Sequence, residues 1–176
     1  MAAMKRRDCT AIVMGVSAGG LAALTTILPN LSNHLGLPIL IVQHLSPDSD
    51  DFLATHFNKI CSLTVKEAED KEAILNNTIY FAPANYHLMV EQDKTIALST
   101  AERVQFSRPA IDVLFETAAE AYMDGLMGIL LTGANSDGTR GCPADQATQR
   151  VCNCPIPGNS RGGDHALICH KPGRGG

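Results

Sequence analysis

Three residues in this chain carry the side chains of a serine hydrolase, and each comes soon after an apolar run. Ser17 lies in Gly15-Val16-Ser17-Ala18-Gly19-Gly20, His44 follows the apolar residues 38–42, and Asp137 lies in a glycine-rich loop after residues 126–131. In such a set, the imidazole takes the proton of the serine hydroxyl and the carboxylate orients the imidazole. The residue types are therefore those of a nucleophile, a base and an orienting acid.

Each of these residues also has a purely structural interpretation. The glycines around Ser17 allow backbone angles that a side chain would forbid, which suits any strand-to-helix turn. A histidine such as His44 often ends a strand with its ring bonded to the backbone, and Asp137-Gly138 is a favoured turn pair. A third interpretation, a nucleotide-phosphate loop at residues 15–20, lacks the Lys-Ser/Thr pair and the spaced glycines of such loops. Because all three residues follow predicted strands, we favour the catalytic interpretation over the structural one.

The elements that must position these residues alternate between strands and helices. Apolar runs predict strands at residues 11–16, 38–42, 63–65, 78–82 and 126–131. Helices are predicted at residues 20–31, 51–60 and 107–122, the last with Ser107 as its cap and Pro109 in its first turn. Residues 87–91 and 95–99 predict a small antiparallel hairpin. The fold class is therefore α/β, a parallel sheet flanked by helices.

The order of the three residues restricts the fold further. Ligands bind beyond the carboxyl ends of parallel strands, and Ser17, His44 and Asp137 all lie there. The ordinary α/β-hydrolase order is serine, acid, histidine, but here His44 precedes Asp137. This order excludes the ordinary α/β-hydrolase fold, but it remains compatible with serine hydrolase chemistry.

Composition limits the remaining classes. The chain has 176 residues, 45% of them hydrophobic and 18% charged, which is typical of one soluble domain. A net charge of -4 gives no support to nucleic-acid binding, and no apolar run is long enough to span a membrane. The basic residues 5–7 are not followed by a separate signal-type stretch. We therefore expect a cytoplasmic protein whose six cysteines are free thiols.

Taken together, the motifs resemble the catalytic domain of the chemotaxis protein-glutamate methylesterases, the CheB type. The matching pieces occur in family order over residues 10–141 and are Gly15-Val16-Ser17-Ala18-Gly19-Gly20, Val42-Gln43-His44, Val65-Lys66-Glu67-Ala68-Glu69-Asp70, Tyr80-Phe81-Ala82-Pro83, Ser107-Arg108-Pro109-Ala110-Ile111-Asp112-Val113-Leu114-Phe115, Leu131-Thr132-Gly133 and Asp137-Gly138. The resemblance implies a Rossmann-like fold. It also implies hydrolysis of glutamate γ-methyl esters on chemoreceptors, often with deamidation of glutamines, and no metal or cofactor.

Carried over by position, the resemblance makes Ser17 the nucleophile, His44 the general base and Asp137 the orienting acid. The backbone amide of Ala134 would contribute to the oxyanion hole. The implied partners are methyl-accepting chemoreceptors as substrate and a chemotaxis kinase or methyltransferase, with no nucleic acid and no membrane insertion. The alternative is a catalytically inactive domain that binds a receptor or signalling partner.

The two ends of the chain depart from the family pattern. Residues 1–9 form a short extension, so we expect no phosphorylation-receiver domain before the catalytic domain. Residues 142–176 are rich in cysteine, glycine and proline and show no helix or strand periodicity, so we expect an irregular, foreign tail and a domain incomplete after Gly141. A zinc site is the alternative for this tail, from the ligand types at Cys152, Cys154, His165, Cys169 and His170.

Four other polar residues stand apart from the motif chemistry. His34, His56 and His87 show no partner pattern and are expected to be surface or core histidines. Arg108 lies in a matched segment, where contact with an acidic receptor surface and a structural ion pair are both open.

Overall fold

A central strand, β1, is flanked by parallel neighbours on both sides. The computed structural model of this protein describes residues 9–16, 20–44 and 52–131, and the backbone of residues 166–169. Its strands are β1 (Ala11–Val16), β2 (Ile39–Gln43), β3 (Thr64–Glu67), β4 (Thr78–Phe81), β5 (His87–Val90), β6 (Ile96–Ser99), β7 (Leu126–Leu131) and β8 (Ala166–Cys169). Its α-helices are α1 (Gly20–Ile27), α2 (Phe52–Ile60) and α3 (Ile111–Tyr122), and single 3-10 turns follow α1 and α3 at Leu28–Asn30 and Met123–Gly125.

The main sheet has the strand order β3-β4-β2-β1-β7-β8. The first five of these strands run parallel, and β8 pairs antiparallel with β7. The predicted α/β class, a parallel sheet with flanking helices and a separate hairpin, is confirmed. The expectation that residues 142–176 form an irregular tail is wrong at Ala166–Cys169, which form β8. That run of four apolar residues has no period of its own, and the free edge of β7 supplies its hydrogen-bonding partners.

Successive residues of β1 enter different cores because side chains alternate across a strand. Ala11 and Val13 belong to a core on one face of the sheet, together with buried residues of α3. Ile12, Met14 and Val16 belong to the core on the opposite face, which α1 and α2 cover. The whole of β1 is buried, as expected for a parallel strand covered on both faces. Packing against helices on both faces holds β1, and therefore its carboxyl end at Val16, in place.

The hairpin of β5 and β6 packs on α3 and forms a two-stranded sheet of its own. Leu88, Val90 and Ile96 contribute to the core that α3 covers. The hydroxyl of Thr117 on α3 accepts a hydrogen bond from the Val90 amide at 3.2 Å. The predicted hairpin is confirmed. It packs against α3 and hydrogen-bonds to it through Thr117.

The start of α3 differs from the sequence prediction. The helix begins at Ile111 with Ala110 as its extended cap residue, so Ser107 is not the cap and Pro109 precedes the first turn. Ser107 instead pairs with Val104 across a two-residue turn. The Arg108–Pro109 peptide bond is cis. The helix prediction was right about the element and its end at Tyr122. It was wrong about the cap, because Ser107 pairs with Val104 in the local turn that precedes the helix.

Candidate active site

The carboxyl ends of three adjacent strands meet at one edge of the sheet. Val16, the last residue of β1, is in register with Gln43, the last residue of β2, and with Leu131, the last residue of β7. Ser17, His44 and residue 132 are therefore the first residues beyond three aligned strand ends. We call this line of strand ends the carboxyl edge. It is the place where ligands bind in open parallel sheets.

His44 is tied directly to the residue that precedes Ser17. Its backbone N–H donates to the carbonyl of Val16 at 3.0 Å, which extends the β1–β2 ladder by one residue. Neighbouring strands lie about 4.8 Å apart, so His44 leaves the sheet beside Val16, the residue that precedes Ser17 in the sequence. The His44 side chain is half-buried.

The other site residues predicted from the sequence lie beyond the described residues. These are Ser17, Ala134 and Asp137. Of the four predicted site residues, the structure describes the side chain of His44 alone, so the roles of the other three stay predictions.

Helix N-termini also converge on this edge. α1 begins at Gly20, four residues after β1 ends, and α3 begins at Ile111. A Cβ atom on Gly15 would overlap Cγ2 of Ile111 and lie 3.0 Å from Cδ1 of Ile111 and of Leu130. Gly15 is thus needed for the close approach of α3, and not for an unusual backbone angle as the motif suggested. The amide groups and positive dipole end of a helix favour negative charge beside them.

The described thiols are poor candidates for the nucleophile. Cys9 precedes β1 and Cys61 follows α2, so both lie at the end of the sheet opposite the carboxyl edge. Burial raises the pKa of the Cys9 thiol and of the Cys61 thiol. The thiolate is the reactive form, so a raised pKa keeps both groups inert near neutral pH. Both are free thiols, as expected.

His87 is the polar residue whose importance the sequence analysis missed. It is 2% exposed, its Nδ1 accepts from the Ala110 amide at 3.2 Å, and its Nε2 lies 3.0 Å from the Glu102 carbonyl. Because Nδ1 accepts, the ring proton is on Nε2, which donates to Glu102. His87 therefore joins β5 to the segment that enters α3. The sequence offered no signal for these backbone partners.

Arg108 forms no ion pair with a described residue, and its contact with a receptor surface stays a prediction. Its Nη1 donates to the carbonyls of Thr100 at 2.7 Å and Ala101 at 3.0 Å, so the guanidinium holds a loop by its backbone. His34 is exposed, and His56 stacks on Phe52 with ring centroids 5.7 Å apart. Both agree with the surface or core interpretation of these histidines.

Metal-binding clusters and membrane-spanning helices were sought in the same part of the chain. Residues 9–16, 20–44 and 52–131 contain no group of three His, Cys, Asp or Glu side chains that could hold a metal ion. None of the described helices is long and apolar enough to cross a membrane. The zinc candidates Cys152, Cys154, His165, Cys169 and His170 lie outside the residues whose side chains are described.

Comparison with known proteins gives consistent matches. A family model described as CheB methylesterase matches residues 12–152, somewhat past the 10–141 segment that the motifs covered. A relative from Leptospira interrogans is 56% identical over 131 residues, which are 74% of this chain and 68% of that protein. A protein-glutamate methylesterase/protein-glutamine glutaminase of Desulfotalea psychrophila is 36% identical over 143 residues, which are 78% of this chain and only 39% of that longer protein.

A solved structure matches the fold as well. The crystal structure of the Thermotoga maritima CheB methylesterase catalytic domain is similar with a TM-score of 0.72 and 36% sequence identity. The match covers 77% of this chain and 73% of that one. The likeness therefore extends over about three quarters of each chain.

Proposed function

The chain belongs to the CheB methylesterase family, and from this premise we propose that it is a serine esterase that hydrolyses glutamate γ-methyl esters on chemoreceptors. Deamidation of receptor glutamines by the same groups is part of the proposal. The observation that supports it is the bond from the His44 amide to the carbonyl of Val16, the residue that precedes Ser17 in the sequence. The cytoplasm is the compartment where such a substrate and its kinase or methyltransferase partners would meet it.

In the proposed reaction, the Ser17 hydroxyl attacks the ester carbonyl carbon while His44 takes the hydroxyl proton. The C–O π electrons move to oxygen, and the Ala134 amide donates to the resulting oxyanion. When the tetrahedral intermediate collapses, the bond to the methoxy group breaks and His44 protonates it as methanol. A glutamyl-serine ester remains on the protein.

Water completes the proposed cycle by the same route. His44 removes a proton from a water molecule, whose oxygen attacks the glutamyl-serine carbonyl. The acyl bond breaks, His44 returns the proton to Ser17, and the product is a glutamic acid side chain, which releases its remaining proton to solvent and leaves as the carboxylate. Asp137 keeps the imidazole in the required orientation and stabilises its protonated form. For a glutamine substrate the first leaving group is ammonia in place of methanol.

The test is methanol release from a methylated chemoreceptor fragment by the full chain. We expect release by the wild type and a loss of at least about 1,000-fold in Ser17→Ala and in His44→Ala. Matched controls are Ser62→Ala and His34→Ala, which change exposed residues of the same types elsewhere and should retain wild-type rates. Receptor binding without methanol release by the wild type would overturn the proposal in favour of an inactive binding domain.

A further inference from the structure

The turn before α3 displays an aromatic side chain in solvent. Val104 and Ser107 form an antiparallel bridge, with N–H to carbonyl distances of 3.1 and 2.9 Å in the two directions. The two residues between them, Gln105 and Phe106, have φ angles of +47° and +66°. Phe106 is 95% exposed, the highest value among the large hydrophobic residues that are described.

Neither turn geometry nor burial accounts for phenylalanine at this position. A two-residue turn with both central φ angles positive is the type I′ pattern, which strongly favours Asn-Gly because other side chains are strained there. A phenylalanine in solvent gains nothing from the hydrophobic effect. A strained residue that does not stabilise its own fold indicates a function outside it.

The turn is anchored on both sides, so it presents Phe106 in a fixed place. Gln105 donates from Nε2 to Oδ2 of Asp112 at 2.9 Å, and Asp112 is 1% exposed in the first turn of α3. On the other side, Arg108 donates to the carbonyls of Thr100 and Ala101. Because the residues on both sides of Phe106 are bonded in this way, the turn loses little backbone freedom on binding, which favours recognition.

The anchoring also locates Phe106 relative to the proposed chemistry. Asp112 adjoins Ile111, whose side chain fills the space above Gly15, two residues before Ser17. α3 runs from this point to Tyr122 and then to the start of β7, at the opposite end of the sheet. Phe106 therefore stands at the carboxyl edge, on the face of the sheet that α3 covers.

We infer that Phe106 is a positioning residue for the protein substrate. It contacts an apolar side chain on the receptor segment that carries the methyl ester, and it thereby holds the glutamate at the carboxyl edge. A single exposed ring cannot enclose a small molecule, so its partner must bring an apolar surface of its own. This inference rests on the proposed esterase function and adds how that site selects a protein over a small ester.

The test compares two substrates in the full chain with Phe106→Gly. The substrates are a methylated receptor fragment and N-acetylglutamate γ-methyl ester, and the measured quantity is the ratio of their kcat/KM values. We expect the ratio to fall roughly tenfold through KM for the receptor, the effect of losing one aromatic contact. Because glycine suits a positive φ, the melting temperature should stay equal or rise, whereas a structural residue would lower it. Phe106→Tyr keeps an aromatic ring at this position, so its ratio of kcat/KM values should stay close to that of the wild type.

Met123→Gly is the matched control. Met123 is also apolar, 67% exposed and at positive φ (+48°), but it lies at the other end of α3. Its ratio should equal that of the wild type. An unchanged ratio in Phe106→Gly, or an equal fall in Met123→Gly, overturns the inference alone. If the wild type hydrolyses neither ester, the proposed function fails and the inference with it.

Discussion

The contact between Gly15 and α3 makes a strong prediction about Gly15→Ala. The substitution adds one methyl group at a point where it would overlap Cγ2 of Ile111. Ile111 is 0% exposed in the core, so its side chain cannot turn away into solvent. Adding a methylene-sized group to a packed core typically costs about 1–3 kcal/mol.

An opposing effect reduces this cost. Replacing glycine restricts the unfolded chain and stabilises a protein by about 0.4–1 kcal/mol where the backbone is compatible. Gly15 lies in regular β1 and has no positive φ, so this gain applies to it. The steric overlap outweighs the gain, and we expect a net loss of about 1–2 kcal/mol in the free energy of unfolding. Urea unfolding at constant m value measures it.

A double variant identifies the cause. Ile111→Ala alone should cost about 2–5 kcal/mol because it empties a core site. In that background the methyl group of Gly15→Ala has room, so its own cost should vanish or change sign. Gly36→Ala is a control for backbone strain, since Gly36 has a φ of +73° and nothing within 4 Å of its Cβ position. A Gly15→Ala protein as stable as the wild type, or an equal cost in both backgrounds, would refute the contact.

Two further predictions concern polar groups. His87→Leu should lower the free energy of unfolding by about 1–3 kcal/mol, chiefly because the buried Ala110 amide loses its acceptor, and His87→Asn should lose less. Denaturant unfolding of both variants checks this, and equal losses would contradict it. Lys66 bonds Glu69 at 2.7 Å and Glu72 at 2.9 Å, which raises the Lys66 pKa. Lys66→Met should cost under about 1 kcal/mol at pH 7, since the pair with Glu69 is solvated. That cost should shrink as the pH rises above the usual lysine value of about 10.4, and it should vanish once the pH exceeds the raised pKa of Lys66, because the amine is then neutral in both states. A cost that persists at that pH would show that charge is not its source.

The sheet was the most predictable part of the fold. The strands predicted at residues 11–16 and 126–131 have the observed bounds. Their uninterrupted apolar runs are typical of strands that are buried on both faces of a parallel sheet. The end of the first helix was less predictable. The run suggested residues 20–31, whereas α1 ends at Ile27 and a 3-10 turn containing Pro29 follows, because proline cannot donate within a helix.

Residues whose partners are backbone groups far along the chain could not be predicted. His87 bonds the main chain of residues 102 and 110, and Arg108 bonds that of residues 100 and 101. Any residue type supplies such a partner, so the sequence carries no signal for the pairing. The need for Gly15 was visible in the motif, but its cause was not, because the contact comes from α3.

The candidate site was predictable only as far as strand ends are. The alignment of β1, β2 and β7 follows from their apolar runs, and it brings Val16, the residue before Ser17, next to His44. The positions of Ser17, Ala134 and Asp137 beyond those ends stay predictions. They depend on loop geometry, which glycine-rich sequences leave open.

The most direct test of the proposed chemistry is covalent labelling by a fluorophosphonate, because only an activated serine reacts with it. We predict one adduct in the wild type, mapped to Ser17 by mass spectrometry. We also predict a labelling rate at least about 100-fold lower in His44→Ala, because the base that activates the hydroxyl is gone. An adduct at another residue, no adduct in the folded wild type, or labelling of Ser17 at the same rate without His44 would contradict the central claim.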